Sequence, residues 1–159
     1  MLGELNEKQI DEVLGSERIG RIGCYDEGKV YIVPVTYIYY DNSIIAHSAS
    51  GLKIKMMRDN PEVCFEVEQI GDMQNWKTVI VRGIYEELDG EDAGTAYNKL
   101  FESIRGLKKS ETLPDKNISP VKREKSEKAE VIYRIKIKEK NETKEIGDYQ
   151  HVTHVIRVV

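Results

Sequence analysis

The residues best suited to chemistry lie in one short stretch, which reads His47-Ser-Ala-Ser-Gly-Leu-Lys53. It follows an apolar run typical of a strand, and it leads into a helical pattern over Leu52–Arg58 that ends at Asn60 and Pro61. Anions bind well at such a helix start, because the free N–H groups and the positive end of the helix dipole lie there. The serines add hydroxyl donors, the glycine lets the backbone approach a ligand, and the lysine adds a charge. The stretch therefore predicts a phosphate site.

A purely structural role is the competing interpretation of the same residues. Ser48 or Ser50 would then only cap the helix, and Lys53 would be an ordinary solvated side chain. A histidine such as His47, taken alone, is more often structural than a ligand. A second histidine pair, His151 and His154, does not indicate a metal site, because on a strand these side chains would face opposite ways.

Composition narrows the function classes. The chain has 159 residues, which suits a single domain over residues 1–159. A net charge of −4 gives no general attraction to nucleic acid, and the apolar runs are too short to span a bilayer. The first eight residues lack the apolar core of a secretory signal. Cys24 and Cys64 fall in predicted strands without metal-ligand spacing, which indicates buried thiols in a reducing compartment. We therefore expect a cytoplasmic protein with no nucleic-acid or membrane partner.

Hydrophobic periodicity predicts the elements that position the phosphate stretch. The predicted strands are Arg18–Tyr25, Val30–Tyr40, Ser43–His47, Glu62–Glu68, Thr78–Leu88 and Ala129–Lys138. The predicted helices are Asn6–Leu14, Leu52–Arg58 and the segment from Asp89 to Gly106. Short strands joined mostly by hairpins predict a mainly β protein, a six-stranded antiparallel barrel with appended helices.

Two segments lie outside this pattern. The charged stretch Leu107–Lys128 contains two prolines and is too long for a plain connection, so we expect a mobile loop, a lid or a partner-binding arm. The tail over residues 139–159 has no clear structure in the sequence, although its apolar end, Val155–Val159, is a candidate extra strand.

The strand Val30–Tyr40 is apolar on both faces and contains Pro34. Proline in a strand indicates an edge, a bulge or a place where something else lies against the backbone. A six-stranded barrel has one narrow interior. The second apolar face therefore predicts a subunit interface, with any ligand at the rim of the barrel or between subunits.

Four ordered motifs carry a family resemblance. They are Tyr31-Ile-Val-Pro-Val-Thr-Tyr37, His47-Ser-Ala-x-Gly-x-Lys53, Asn60-Pro-x-Val-Cys-Phe-Glu-Val67 and Trp76-Lys-Thr-Val-Ile-Val-x-Gly83. Together they resemble the pyridoxamine 5′-phosphate oxidase-like FMN-binding split β-barrels, and within them the nitroimidazole-resistance type most. The resemblance covers roughly Arg18 to Ile104. It implies a split β-barrel that binds FMN at the interface of a homodimer.

The resemblance also implies which residues hold FMN. They are Pro34, Val35, Thr36, Tyr37, His47, Ser48, Ala49, Gly51, Lys53, Trp76 and Thr78. The segment beginning at Pro34 would lie along the isoalloxazine ring through main-chain groups, where the proline opens the strand ladder. The segment ending at Lys53 would hold the phosphate, and Trp76 would help close the pocket, often from the second subunit. Similar proteins often carry a second basic residue before the lysine. Leu52 stands there instead, which leaves Lys55 or Arg58 to contribute.

The function implied is an FMN-dependent oxidoreductase. It would take electrons from NADH or NADPH and reduce a small planar acceptor such as a nitroaromatic or a quinone, with Trp76 and Tyr37 as aromatic walls. No residue stands out as an acid, base or nucleophile, so no catalytic residue is assigned. Two alternatives remain, a non-catalytic FMN carrier or sensor and a haem-handling split barrel in which His47 ligates iron.

Overall fold

The computed structural model describes residues 2–3, 5–71, 76–107, 130–138 and 155–158. The helices are α1 (Glu7–Ser16), α2 (Leu52–Asp59) and α3 (Gly90–Leu107). The strands are β1 (Leu2–Gly3), β2 (Ile19–Asp26), β3 (Lys29–Tyr40), β4 (Ser43–Ala49), β5 (Glu62–Ile70), β6 (Trp76–Glu87), β7 (Glu130–Ile137) and β8 (Val155–Val158). Every predicted strand and helix is present, with ends within two residues of the prediction. None of the described helices is long and apolar enough to cross a membrane.

Six of these strands form a closed antiparallel barrel, as the sequence predicts. Their order is β6-β5-β2-β3-β4-β7, and β7 pairs back with β6 to close the ring. β6 is shared between two neighbours, because its first residues, Trp76–Val79, pair with β8 and its last, Gly83–Glu87, pair with β7. β8 also pairs with β1. The candidate strand at the end of the chain is therefore confirmed over Val155–Val158.

The barrel interior is filled by alternate residues of every strand. Tyr37 and Phe65 lie at its centre, fully buried and packed edge to face with ring centroids 4.7 Å apart. α1 contributes Val13 and Leu14 to this core, and α2 contributes Ile54 and Met57. The helix that carries the predicted phosphate residues is thus anchored by its apolar side.

Gly20 explains how Phe65 fits. A Cβ at Gly20 would overlap the ring of Phe65 and approach the Glu66 carbonyl at 2.8 Å. A glycine within a strand indicates a bend or a close backbone contact, and of Gly20 and Gly23 only Gly20 shows the contact. At Gly23 a Cβ would find ordinary contacts at 3.7 Å and beyond.

We expect Gly20→Ala to destabilise the fold by about 1 to 2 kcal/mol, since the added methyl overpacks a filled core. Gly23→Ala is the matched control on the same strand and should cost much less. The free energy of unfolding from urea titrations measures both. Equal losses for the two variants would contradict the close contact between Gly20 and Phe65.

A second, smaller core lies outside the barrel, where α3 covers β3 and β4. It joins Ile38 and Ile45 of the sheet to Ala96 and Leu100 of the helix. The three- and four-residue spacing of the apolar side chains along α3 predicts an apolar stripe, and this stripe is wider than the surface that the sheet covers. Tyr97 and Phe101 belong to the stripe by spacing, yet they are 40% and 48% exposed.

Candidate functional site

β3 and β4 separate partway along their length. They pair only from Tyr37 opposite Ala46 to Tyr40 opposite Ser43. Beyond Ala46, β4 pairs with β7 instead. Before Tyr37, β3 pairs only with β2 among the described residues. The opening between the two strands, which we call the split, is bordered by residues 34–36 on one side and 47–49 on the other. The register thus brings two distant motifs to one place.

Pro34 stands at the open edge of β3, not at a break in the ladder with β2. The β2–β3 register continues without interruption from Ile19 opposite Thr36 to Asp26 opposite Lys29, with Arg21 opposite Pro34. The expected opening of the ladder is therefore on the side of β4. Proline is tolerated there because β3 has a partner along only one edge.

The start of α2 is free of side-chain capping. The N-cap residue is Gly51, in extended conformation, and no side chain caps the helix. The serine hydroxyl of Ser48 instead donates to the Ala49 carbonyl oxygen at 3.0 Å. The structural interpretation in which Ser48 or Ser50 caps the helix is therefore wrong. The first turn also carries no acidic residue, so its N–H groups and the helix dipole remain available to an anion.

Lys53 lies in this first turn and is half-buried. Burial lowers the pKa of its ammonium group, and only the nearby Cys24 thiol acts in the opposite direction. Among the described residues no carboxylate forms an ion pair with Lys53. A half-buried cation without a partner is unfavourable, and a bound anion would offset that cost. Lys55 and Arg58 differ, because they form ion pairs with Asp59 and Glu87.

The two cysteines are not alike. Cys24 is buried inside the barrel, as expected, and burial raises the pKa of its thiol while Lys53 lowers it. Cys64 is exposed, which corrects the expectation that both are buried. It lies on the outer face of β5, opposite Gly23 of β2.

His47 faces α3. Its Nε2 atom lies 3.3 Å from a carboxylate oxygen of Glu130, and its ring meets Tyr97 edge to face at a centroid distance of 6.1 Å. Adjacent residues of a strand point to opposite faces, so the side chains of His47 and Ser48 diverge. His47 can border the split through its main chain while its imidazole serves packing. Sequence reasoning missed Glu130, since no local signal links it to His47.

The side chain of Tyr37 is not available as an aromatic wall. It is fully buried, and its hydroxyl donates to the Leu14 carbonyl oxygen at 2.9 Å. Burial raises the pKa of this phenol well above its usual value. Val35 is buried too, so at these two positions only main-chain groups can meet a ligand. Pro34 and Thr36 are exposed on the outer face.

Trp76 and Thr78 lie on neither of the two strands that border the split. They begin β6, which is separated from β3 by β5 and β2 and from β4 by β7. Thr78 is buried at 9% exposure, and Trp76 is half-buried. Their predicted place beside the cofactor therefore depends on a second subunit and stays a prediction.

An apolar surface lies beside the split on the outside of the barrel. Ile19 and Tyr25 of β2 and Val30 and Ile32 of β3 are 68%, 53%, 70% and 63% exposed. Pairing places Tyr25 opposite Val30, which makes these side chains neighbours on one face. We call these four residues the outer apolar face. The sequence predicts an apolar outer surface for the β3 residues, Val30 and Ile32, but not for the β2 residues, Ile19 and Tyr25.

Other predicted features fall elsewhere. The expected lid over Leu107–Lys128 lies outside the described residues from position 108 onward, as do His151 and His154. Within the described residues, no group of three or more His, Cys, Asp or Glu side chains could hold a metal ion.

Known proteins resemble this chain along most of its length. The family model of pyridoxamine 5′-phosphate oxidase matches residues 6–142. A curated relative, an uncharacterised protein of Rhizobium meliloti (strain 1021), is 32% identical over 84 residues, which are 53% of this chain and 56% of the relative. The match thus spans about half the length of that relative.

Solved structures share the fold. An FAD-binding protein from Mesorhizobium loti is 30% identical, with a TM-score of 0.66 over 87% of this chain and 94% of its own. A proposed 5-nitroimidazole antibiotic resistance protein from Bacteroides thetaiotaomicron is 17% identical, with a TM-score of 0.61 over 87% of this chain and 83% of its own. A haem-binding protein from Mycobacterium smegmatis is 12% identical, with a TM-score of 0.59 over 84% of this chain and 52% of its own. The family model and the barrel agree, and the chain belongs to the pyridoxamine 5′-phosphate oxidase family.

Proposed function

We propose that the chain binds FMN in the split and acts as a flavin-dependent oxidoreductase on a small acceptor. The observation that carries this proposal is Lys53, a half-buried ammonium without an ion-pair partner among the described residues, at the uncapped start of α2. A phosphate there would meet the helix dipole, the first-turn N–H groups and the lysine charge together.

The open edge of β3 supports the placement of the ring. Residues 34–36 have no strand on the β4 side among the described residues, so their main-chain groups are free to bond a planar heterocycle. The flavin would supply the electron chemistry, while the chain orients it and excludes water. The buried Tyr37 side chain cannot serve as an aromatic wall, so Trp76 of a second subunit would cover the ring.

The FAD-binding relative supports a flavin ligand. FMN is proposed over FAD because the described residues offer one helix start with one unpaired lysine, which matches a single terminal phosphate. The haem alternative is less well supported, because the His47 ring packs against Tyr97 and its Nε2 atom is buried 3.3 Å from the Glu130 carboxylate, although that atom makes no hydrogen bond among the described residues. A carrier or sensor would bind FMN as a reductase does, but it would not catalyse electron transfer from a nicotinamide donor to an acceptor. Anaerobic titration with NADH and NADPH separates them, since a carrier's flavin would stay oxidised.

Assembly is part of the proposal. The outer apolar face would be covered by a second copy in a homodimer, which removes exposed apolar surface and brings Trp76 to the partner's split.

The affinity for FMN should depend on pH through Lys53. Phosphate binding favours the charged ammonium, so it raises a pKa that burial has lowered in the free protein. Affinity should therefore be full below the pKa of free Lys53 and fall as pH rises through it. Cys24, the other titratable group beside Lys53, has a raised pKa and stays neutral longer.

Fluorescence titrations with FMN between about pH 7 and pH 10 measure this dependence. Lys53→Arg is the control, because the guanidinium stays charged over that range and its affinity should be flat. A wild-type affinity that rises with pH over this range, or an equal fall in Lys53→Arg, would contradict the assignment of the phosphate to Lys53.

A further inference from the structure

A cleft of about 170 Å³ lies between α3 and the hairpin that joins β3 to β4. The hairpin end of the β3–β4 pairing is Tyr40 opposite Ser43, and the split begins beyond the other end, at Tyr37 opposite Ala46. The cleft is therefore separate from the candidate flavin site, and nothing in the proposed function uses it.

The floor of the cleft is apolar. Ile45 and Ala96 are 5% and 4% exposed, and Leu88 packs against them in the small core beneath α3. Ser43 also lines the cleft, but its hydroxyl already donates to the Asp41 carbonyl oxygen at 3.2 Å. Such a floor suits a short aliphatic chain.

One end of the cleft is acidic. Asp41 and Asp92 line it, and both lie close enough to Arg134 to raise the pKa of its guanidinium. That guanidinium also lines the cleft, and its Nε atom donates to the Glu86 carboxylate at 2.6 Å, which Lys136 shares at 2.9 Å. Three carboxylates therefore surround two cations, which leaves a net negative charge at this end.

The other end is basic. The Lys99 ammonium lies 4.1 Å from the centroid of the Tyr40 ring and has no ion-pair partner in the described part of the chain. Asp92 and Lys99 are seven positions apart on α3, about 10 Å along its axis. That spacing exceeds the three- or four-residue reach of direct pairs on a helix, so the opposite charges face one cleft without neutralising each other.

We propose that this cleft binds a short ω-amino acid, a molecule whose ammonium and carboxylate are separated by an aliphatic chain. The ammonium would lie at Asp41 and Asp92, the carboxylate at Lys99, and the methylenes over Ile45 and Ala96. A simple amine would leave Lys99 unpaired, and a simple carboxylate would be repelled by the aspartates. An α-amino acid carries its charges too close together to reach both ends. The volume is adequate, since a cavity of about 150 Å³ holds benzene.

The test uses two isomers with the same atoms and different charge separation. 5-Aminopentanoate should shift the amide resonances of Ser43 and Thr95 saturably in NMR titrations. Norvaline, its α-amino isomer, should bind at least about tenfold more weakly, as should pentylamine and pentanoate, which each lack one charge.

Variants locate the binding. Lys99→Met and Asp92→Asn should each weaken 5-aminopentanoate about tenfold, which corresponds to about 1.4 kcal/mol. Glu102→Gln is the matched control, because Glu102 is exposed on the same helix and does not line the cleft. The proposal is overturned by the absence of a saturable shift, by equal affinity for norvaline or pentylamine, or by an equal loss in Glu102→Gln.

Discussion

Lys53→Ala should weaken FMN binding by about 1.5 to 3 kcal/mol, the scale of a lost charge-assisted hydrogen bond. The physical reason is that the half-buried ammonium has no other anion among the described residues, so its favourable pairing is made only with the phosphate. Riboflavin has no phosphate, and its binding should change much less. Titration of both flavins by fluorescence quenching gives the two differences directly.

The chain provides a matched control for this variant. Lys55 is two residues further along the same helix, exposed, and paired with Asp59 at 3.0 Å. Lys55→Ala removes the same charge from α2 and should leave FMN affinity nearly unchanged. If Lys55→Ala weakens FMN as much as Lys53→Ala does, the effect is one of general charge and not of a site. Equal losses for FMN and riboflavin would show that Lys53 does not touch the phosphate.

Ile32→Asp should prevent the proposed homodimer from forming and leave a monomer at micromolar concentration. Ile32 is 63% exposed on the outer apolar face, so a carboxylate there is harmless to the single chain. In a symmetric interface it would be buried twice, at a cost of several kcal/mol. Flavin affinity should fall with the dimer, because the second subunit would no longer supply Trp76 to the split.

Light scattering on the FMN-loaded protein measures the mass. Phe101→Asp is the control, since Phe101 is 48% exposed on α3 and is not part of the outer apolar face. Its mass should remain that of the wild type. A wild-type monomer, or an Ile32→Asp dimer with undiminished flavin binding, would contradict the proposed assembly.

Strand positions were predictable because side-chain alternation is local. The pattern of β7 places Val131, Tyr133, Ile135 and Ile137 inward; the first three are buried, and Ile137 at the end of the strand is partly buried. The start of α2 was equally predictable, because an apolar strand, small residues and a helical pattern follow one another in the sequence. These signals need no knowledge of which strand lies next to which.

Features that depend on distant pairing were not predictable in the same way. Pro34 indicates an edge or bulge, but only the departure of β4 towards β7 shows which side of β3 is open. The orientation of His47 depends on Glu130, which lies far along the chain and reaches it through that same pairing.

The burial of some side chains was predicted wrongly, because an apolar side chain does not by itself show whether another element of the fold covers it. The spacing of Tyr97 and Phe101 is correct for the helix α3, but it does not show how much of that helix the sheet covers. Cys64 alternates with inward residues of β5 and so faces outward, despite the usual burial of cysteine. The motif that ends in Tyr37 predicted contact with a ligand, yet the tyrosine side chain serves the core.

The absorbance spectrum of the purified protein, with identification of the ligand released on denaturation, tests the central claim most directly. The account predicts a yellow protein that releases FMN. A protein that is colourless and takes up no added FMN would contradict it, as would one that releases FAD or haem.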